Sequence, residues 1–380
     1  MKKMNRFVVA AAFALPAVSF AAAFVPPVPQ IAGKAYYLLD YNSGQPLAQQ
    51  DPDARVEPAS LTKLMTAYLT FKALREHRLR LDQQLTVSER GWKTEGSRMF
   101  LDPKRPAPVS ELIKGMIVQS GNDACVTLAE AIAGSEDVFA QMMTSQARQL
   151  GMMHTQFKNA TGLPNPEHYT TVHDLAILSA AIIHDYPEFY PTYSIKSFTY
   201  NNITQPNRNL LLYRDPNVDG MKTGFTDRAG YNMIASSHRD GRRVVSVVVG
   251  TASPEARAEE SAKLLNYGLQ FFETPKLYQA GKPLSVIPVY KGASSKLDIG
   301  FARDVYATVV KGEAGRIKID LSTRQPVLAP VKAGQVVGQL TVSLDGKVLE
   351  QQPVVALQSV DEGGFFSRLW DSIKLLLKWK

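Results

Sequence analysis

Apolar and polar positions follow two different rhythms along the 380-residue chain. From residue 58 to 185, apolar residues recur mostly every three or four positions, which predicts helices. Near residue 220 the interval changes to two. The segment YNMIASSHRDGRRVVSVVVG contains two apolar runs around Arg239-Asp240-Gly241 and predicts an antiparallel hairpin. The following SPEARAEESAKLLNYGLQFF predicts a helix that begins at Ser253 and Pro254.

An early strand and the late hairpin flank this helical middle. KAYYLLDYNSGQPL predicts a strand followed by a turn. Strands on both sides of a helical segment predict an α/β (α+β) fold, in which helices pack on one antiparallel sheet. After Pro275, short alternating runs separated by Gly, Pro and Asp predict a small all-β domain of about 85 residues.

The first 23 residues have the order of a targeting segment. MKKMNRFVVAAAFALPAVSFAAA begins with cations, continues with an apolar run and ends with small residues. This order predicts a secretory signal peptide that is cleaved after Ala21 or Ala23. A membrane-spanning helix is the alternative, but the run is short for that role and contains Pro16. We therefore expect the mature protein to work outside the cytoplasm.

The last residues, FFSRLWDSIKLLLKWK, predict an amphipathic helix. Basic helices rich in Trp and Phe are typical of segments that lie in the interface of an anionic membrane. The alternative is a helix docked on the protein's own core. The expected organisation is a signal peptide at 1–23, a first domain at 24–274, a β-rich domain at 275–360 and a membrane-anchoring helix at 361–380.

Composition and charge exclude several classes of function. The net charge of +8 comes from scattered residues, without the interleaved aromatic residues of a nucleic-acid module. Cys125 is the only cysteine, so it can form neither an internal disulfide nor a thiolate metal site. We expect it to pack in a helix. The six histidines show no metal-binding spacing, so we expect no metal and no cofactor.

The stretch EPASLTKLMTAY contains a lysine on an apolar stripe. At 100° per residue, Ser60, Lys63 and Leu64 share one helix face with Ala67 and Phe71. Burial disfavours the charged form of a lysine and lowers its pKa. A neutral Lys63 one turn from Ser60 could take the proton of the serine, which is the arrangement of a nucleophile beside its base.

Two further motifs follow in the chain. VQSGNDA contains Ser120-Gly121-Asn122 at the start of a helix, and DGMKTGFTDRAGYN contains Lys222-Thr223-Gly224 before the hairpin. Alone, the first could be a helix cap and the second a turn. In the order S-x-x-K, S-x-N and K-T-G, they form the signature of penicillin-binding proteins and serine β-lactamases. Over nearly its whole length the chain closely resembles the low-molecular-mass penicillin-binding proteins, the serine-type D-alanyl-D-alanine carboxypeptidases of peptidase family S11.

This resemblance implies a role for each motif residue. Ser60 would attack the carbonyl between two D-alanines of a cell-wall peptide and form an acyl-enzyme. Lys63 would take its proton, and Ser120 would relay a proton to the departing D-alanine. Asn122 would hold the peptide amide and help to orient Lys63. The backbone N–H groups of Ser60 and Phe225 would stabilise the oxyanion.

The terminal carboxylate of such a substrate needs cations and hydroxyls. Lys222 and Thr223 of the K-T-G motif, which ends at Gly224, meet that need, and Lys222 is also expected to lower the pKa of Lys63 as a second cation. Arg257 aligns with a family arginine that binds this carboxylate, and a guanidinium suits it well. Arg208 is a further candidate. Many members of the family have a histidine where this chain has Phe225, a side chain that cannot titrate or donate.

Three functions are consistent with these motifs. The first is a D,D-carboxypeptidase that trims pentapeptide stems in the periplasm, on the outer face of the bacterial inner membrane, and that penicillins acylate and inhibit. The second is a class A-like β-lactamase, which needs a Glu-x-x-x-Asn loop; NATGLPNPEHYTT contains Glu167 but no asparagine at that spacing. The third is a scaffold that only binds the wall. The expected partners are peptidoglycan D-Ala-D-Ala peptides, β-lactams and a membrane surface, with no nucleic acid.

Overall fold

A computed structural model describes residues 26–378, so the predicted signal peptide lies outside the described residues. Most of the helices lie in the first two thirds of this range, as the apolar spacing predicts. The nine α-helices within residues 26–378 are α1 (Lys63–Arg75), α2 (Glu89–Lys93), α3 (Val109–Val118), α4 (Asn122–Ala133), α5 (Glu136–Gln149), α6 (Val172–Asp185), α7 (Leu211–Arg214), α8 (Pro254–Phe271) and α9 (Phe365–Lys378).

The centre of the first domain is a five-stranded antiparallel sheet. Its strands, in spatial order, are Pro46–Gln50, Ala35–Asp40, Arg242–Thr251, Gly230–Arg239 and Val218–Thr226. The predicted hairpin is confirmed. Asp240 and Gly241 connect its strands with φ angles of 52° and 76°, and positive φ at both central residues suits a tight two-residue turn.

Helices cover both faces of this sheet. Along the strand Ala35–Asp40, Tyr37 and Leu39 belong to the core formed with α1 and α3–α6, whereas Tyr36 and Leu38 belong to the core under α8. Successive side chains of a strand point to opposite faces, so a strand buried on both faces is apolar at consecutive positions. This explains the uninterrupted apolar run in AYYLL.

The second domain is all-β and has its own apolar core, which includes Leu297, Phe301 and Leu340. Its six-stranded sheet consists, in spatial order, of Ile317–Thr323, Val336–Leu344, Lys347–Ala356, Lys296–Gly300, Pro283–Tyr290 and Val327–Leu328. Only the last pair of strands is parallel. The fold class predicted from the sequence, an α+β domain followed by a small all-β domain, is confirmed.

Short elements complete the two domains, and the ladder of Phe272–Glu273 with Val309–Val310 joins them. Two-stranded ladders pair Gln84–Leu85 with Ala107–Pro108, Ser197–Tyr200 with Ile203–Pro206, Phe272–Glu273 with Val309–Val310, and Lys276–Tyr278 with Val305–Tyr306. Short 3₁₀ helices lie at Ala59–Thr62, Tyr190–Ser194 and Ala314–Arg316.

A buried ion pair lies where the two domains meet. Arg242 donates from Nε to Asp40 Oδ2 at 2.8 Å and from Nη1 to the carbonyls of Gly268 and Phe272, both at 2.7 Å. The hydroxyl of Thr274 donates to the same Asp40 oxygen at 2.6 Å. The last residues of the first domain, which lead into the β-rich domain, are thereby hydrogen-bonded to the central sheet.

The final helix α9 contacts the β-rich domain through its polar side. Asp371 Oδ2 accepts a hydrogen bond from the backbone N–H of Lys291 at 2.7 Å. Its apolar side faces away from the protein, with Phe365, Phe366 and Trp370 exposed by 74%, 83% and 60%. The alternative of an apolar face docked on the protein's own core is therefore wrong. Among residues 26–378, no helix is both long and apolar enough to cross a bilayer.

Candidate active site

Ser60 lies on the 3₁₀ turn Ala59–Thr62, and Lys63 is the first residue of α1. Ala59 has a φ of 47°, so the chain turns sharply just before the serine. Gly224 of the edge strand Val218–Thr226 packs against this turn. A Cβ atom at Gly224 would lie 3.1 Å from the carbonyl oxygen of Pro58 and 3.2 Å from the nitrogen of Ser60. The glycine of K-T-G therefore allows the strand to approach the serine closely.

Lys63 is the most enclosed cation of the site, with 1% of its surface exposed. Its Nζ lies 3.0 Å from Ser60 Oγ and donates to the carbonyl of Thr161 at 2.6 Å. Burial lowers the pKa of Lys63 from 10.5 to about 8, and the charge of Arg208 acts in the same direction, while Cys125, Asp123 and Glu136 oppose it. Near pH 8 about half of Lys63 is therefore neutral, and this form can accept the proton of Ser60.

Ser120 connects to a second buried lysine. Lys222 Nζ donates to Ser120 Oγ at 3.0 Å and to the carbonyl of Thr223 at 3.1 Å. Burial, followed by the charge of Lys63, holds the pKa of Lys222 well below its usual value. The charges of these two buried lysines disfavour each other, and the charge of Arg208 is a further cause that lowers the pKa of Lys63.

Asn122 lies at the start of α4 and faces the same cleft. Its Nδ2 donates to the carbonyl of Glu95 at 2.5 Å, and its buried Oδ1 has no partner among the described residues. The next residue, Asp123, accepts hydrogen bonds from the backbone of Met99 and Leu101 at 2.9 and 3.1 Å. Asp123 thereby holds the 95–101 loop against α4, a role that the sequence analysis did not foresee.

The cleft has two adjoining lobes, of about 460 Å³ and 280 Å³, which share Ser60, Ser97, Arg208 and Phe225. Among the described residues that line either lobe there is no aspartate or glutamate. The buried lysines and the arginines therefore make the cleft electropositive, which suits an anionic substrate group.

Arg257 and Arg208 lie side by side in the smaller lobe. Arg257 is buried, and it donates to the carbonyls of Gly224 at 3.3 Å and Arg208 at 3.4 Å. Its Nε has no partner in the described part of the chain. Burial lowers the pKa of Arg257 to about 10 and also lowers that of Arg208, whose Nη1 donates to Ser97 Oγ at 2.7 Å. Neither guanidinium is paired with a carboxylate in the described residues.

Phe225 follows the K-T-G motif and contributes its side chain to both lobes. The ring is 46% exposed and lies 4.3 Å from the ring of Tyr231, centroid to centroid. Thr223 is buried beside it and lines the smaller lobe. The ring therefore adds an apolar wall, which cannot titrate, directly after the K-T-G motif.

His168 has a structural role and holds the loop beside Lys63. His168 Nδ1 accepts from the backbone N–H of Lys158 at 3.3 Å, so the hydrogen is on Nε2, which lies 2.9 Å from Thr62 Oγ1 and donates to it. Burial, together with the charge of Lys63, lowers the pKa of His168 to about 4 and keeps the ring neutral. This bridge ties α1 to the loop that carries the Thr161 carbonyl.

Two other residues of the sequence analysis lie away from the chemistry. Glu167 is an exposed residue whose Oε2 pairs with Lys158 Nζ at 2.9 Å, and it does not line the cleft. Cys125 is buried in α4, where burial raises the pKa of its thiol to about 12. Among residues 26–378, no group of three or more His, Cys, Asp or Glu side chains could hold a metal ion.

The comparisons with known proteins agree with this geometry. Residues 22–253 match the family described as D-alanyl-D-alanine carboxypeptidase, and residues 272–362 match the C-terminal domain of penicillin-binding protein 5. The chain is 42% identical over 360 residues to the D-alanyl-D-alanine carboxypeptidase DacA of Escherichia coli strain K12, a match that covers 93% of this chain and 89% of that protein.

Solved structures give the same result. The crystal structure of penicillin binding protein 5 from Haemophilus influenzae has a TM-score of 0.84 and 41% identity, and covers 89% of this chain and all of that one. Penicillin-binding protein D2 from Listeria monocytogenes in its ampicillin-bound form has a TM-score of 0.59 and 32% identity, over 63% of this chain and 98% of that one. The chain therefore belongs to the D-alanyl-D-alanine carboxypeptidase family and is a serine-type hydrolase of that class.

Proposed function

We propose that Ser60 is the nucleophile and Lys63 its general base in removing the terminal D-alanine from peptidoglycan pentapeptide stems. The observation that carries this proposal is the 3.0 Å approach of a buried lysine, with a lowered pKa, to the serine hydroxyl. Neutral Lys63 takes the proton as Ser60 Oγ bonds to the carbonyl carbon between the two D-alanines. The backbone N–H groups of Ser60 and Phe225 are the proposed oxyanion donors.

The second half of the reaction uses Ser120. The tetrahedral adduct collapses when the bond to the last D-alanine breaks, and the departing nitrogen needs a proton. Ser120 relays to it the proton that Lys63 took from Ser60, while Lys222 holds the Ser120 hydroxyl by a hydrogen bond of 3.0 Å. Lys63, neutral again, then takes a proton from the water that attacks the ester, and returns it to Ser60 Oγ as the shortened peptide leaves.

The cations of the smaller lobe select the substrate end. We assign the terminal carboxylate of the substrate to Lys222, Thr223 and Arg257, which lie beside Gly224. The buried Nε of Arg257 has no partner among the described residues, and the described lining of this lobe contains no acidic residue. Asn122, whose Oδ1 is unpartnered among the described residues, would accept the substrate amide N–H. The proposed reaction uses neither a metal ion nor an organic cofactor.

The test is an intact-mass time course with benzylpenicillin, followed by a D-alanine release assay on a D-Ala-D-Ala pentapeptide. We expect one adduct per chain, located on Ser60, and release of one D-alanine per peptide. Ser60→Ala should abolish both, whereas Glu167→Gln should change neither. A protein that stays unmodified while the drug disappears would instead support a β-lactamase, and inactive but folded protein would support a wall-binding scaffold.

We further propose that the chain is exported to the periplasm and held at the outer face of the inner membrane by α9. The support is the exposed apolar side of α9, including Phe365, Phe366 and Trp370, on a helix whose polar side faces the β-rich domain. In this scheme residues 1–23 are the signal peptide, 24–274 the catalytic domain, 275–360 a spacer and 361–380 the anchor.

Deleting residues 363–380 tests the anchor. The truncated chain should leave the membrane fraction and keep its D-alanine release rate, because α9 lies on the β-rich domain and not in the cleft. The double variant Phe366→Ser with Trp370→Ser keeps the helix, and it should also leave the membrane fraction. Retention of either variant in washed membranes would contradict the anchoring role.

A further inference from the structure

Residues 98–101 form part of the wall of the larger lobe, and their side chains alternate in direction. Met99 and Leu101 are buried, whereas Arg98 and Phe100 are exposed and line the lobe. The guanidinium carbon of Arg98 lies 5.8 Å from the centre of the Phe100 ring, within the range of a cation–π contact. This wall therefore presents an apolar ring with a cation beside it.

Hydrogen bonds hold the backbone of this segment from two sides. From α4, the carboxylate of Asp123 binds two of its N–H groups at 2.9 and 3.1 Å. From the ladder Ser197–Tyr200 with Ile203–Pro206, the side chain of Gln205 donates to the carbonyl of Arg98 at 3.0 Å. The φ angle of Phe100 is 67°, which bulky residues rarely adopt, so these contacts hold its ring toward the lobe against backbone strain.

Arg98 is a cation without an acidic partner. In the described part of the chain its guanidinium has neither an ion pair nor a hydrogen bond to a carboxylate. The nearest arginines in the sequence differ, since Arg90 pairs with Glu136 and Arg105 pairs with Asp102. Because no aspartate or glutamate is among the described residues that line the larger lobe, Arg98 is open to a carboxylate that enters with the substrate.

The direction of the substrate decides which of its residues reaches Arg98. In the proposed function, on which this subsite depends, the terminal carboxylate of the substrate lies in the smaller lobe with Arg257. Ser60 lines both lobes, so the peptide on the other side of the scissile carbonyl enters the larger one. Its first residue there is a D-alanine with a small methyl group, which leaves most of the 460 Å³ to the residue before it.

We propose that Arg98 and Phe100 bind the side chain of the residue that precedes D-Ala-D-Ala, and that they select a methylene stem ending in a carboxylate. The stem packs on the ring of Phe100, and the carboxylate pairs with the guanidinium of Arg98. A side chain that ends in an amide loses the ion pair, and one that ends in an ammonium group alone meets a like charge. The preferred substrates are therefore peptides with an acidic residue before the two alanines.

Two matched tripeptides test the subsite. Both are Nα-acetylated and end in D-Ala-D-Ala; the first residue is L-α-aminopimelate in one and its side-chain amide in the other, so they differ only in the charge at the end of a methylene stem. The kcat/KM for D-alanine release should be about fivefold higher for the acid, the size expected of an exposed ion pair. This preference should shrink at about 0.5 M salt, because the pair is open to solvent.

Variants assign the preference to its residues. The ratio of kcat/KM between acid and amide should fall to about one in Arg98→Gln and below one in Arg98→Glu, and Arg98→Lys should keep part of it. Arg105→Gln removes a cation outside the cleft and is the matched control, which should keep the full ratio. Phe100→Ala should lower kcat/KM for both peptides alike, because both have the stem that packs on the ring.

Two outcomes would overturn the subsite. Equal kcat/KM for the acid and the amide would mean that Arg98 is only a solvated rim residue, and a preference that survives Arg98→Gln would place the carboxylate elsewhere in the cleft. Failure of the proposed function looks different, because neither peptide would then release D-alanine and benzylpenicillin would leave no adduct on Ser60. Release from both peptides at the same rate is the failure of the subsite alone.

Discussion

The domain junction and the cleft both enclose cations, and they differ in what accompanies the charge. At the domain junction, Arg242 contacts the carboxylate of Asp40, which is fully buried, and two backbone carbonyls. In the cleft, Lys63 and Lys222 are buried, but hydroxyls and single carbonyls are their hydrogen-bond partners. The first site neutralises its charge, and the second leaves it unpaired.

This difference separates a structural site from a chemical one. A buried cation with a carboxylate partner keeps its charge and holds the elements that it bridges. A buried lysine without such a partner is driven toward its neutral form, which is what a general base requires. The position of carboxylates, more than the depth of burial, therefore distinguishes the two sites.

The largest expected effect is that of Lys63→Arg. A guanidinium stays protonated even when buried, so it cannot take the proton of Ser60. Acylation by benzylpenicillin should fall by about a thousandfold or more, measured by intact mass over time. The thermal midpoint should show that the variant is folded. Acylation at the original rate would contradict the base assignment.

At the junction, Arg242→Met should affect stability and leave the chemistry alone. Loss of the guanidinium leaves the Asp40 carboxylate buried without its cation, which typically costs about 3–5 kcal/mol. Urea unfolding should report this loss, while the D-alanine release rate per folded molecule stays unchanged. Arg80→Met, which breaks the exposed pair with Asp82, is the matched control and should leave the midpoint where it is.

The pH dependence of acylation tests whether the lysine without a carboxylate partner titrates as a base. Neutral Lys63 is the active form and its pKa is about 8, so the neutral fraction falls as the pH drops below 8. The acylation rate should rise about tenfold per pH unit up to that value and then level off. Stopped-flow measurements at several pH values give the profile. Glu167→Gln should leave it unchanged; a rate independent of pH from 6 to 8 would contradict a titrating base.

His168 supports Lys63 only indirectly, so replacing His168 should lower the acylation rate less than replacing Lys63 does. His168→Ala leaves the Thr62 hydroxyl and the Lys158 amide without partners and loosens the loop that carries the Thr161 carbonyl. We expect an acylation rate lower by about tenfold and a stability lower by about 1–3 kcal/mol. His168→Gln, which can still donate to Thr62, should recover most of the rate. If His168→Gln acylates no faster than His168→Ala, the hydrogen bond to Thr62 does not support the chemistry, and the ring matters only for packing.

Phe225→Ala should have the smallest effect on acylation. The proposed oxyanion donor is the backbone N–H of this residue, which the substitution keeps, so the acylation rate should change by less than about threefold. The loss of the apolar wall should instead appear in the KM for peptides. A large loss of acylation rate would mean that the ring itself positions the reacting carbonyl.

Sequence alone was sufficient for the features whose partners are close in the chain. Ser60 and Lys63 are one turn apart, the hairpin strands flank Asp240 and Gly241, and α9 shows its amphipathic spacing within 14 residues. Local periodicity and turn chemistry depend on neighbouring residues, so they can be recognised without a fold. The three motifs and the family resemblance were recognisable for the same reason.

Only the tertiary structure decided which distant residues meet. Ser120 and Lys222 are 102 positions apart, Thr62 and His168 are 106, and Lys63 and Thr161 are 98. The contact of His168 with Thr62 and the effect of Arg208 on the pKa of Lys63 therefore could not be predicted from the sequence. Burial and electrostatic fields depend on which segments the chain brings back together, and this is also why the outward direction of the apolar side of α9 became visible only in the folded protein.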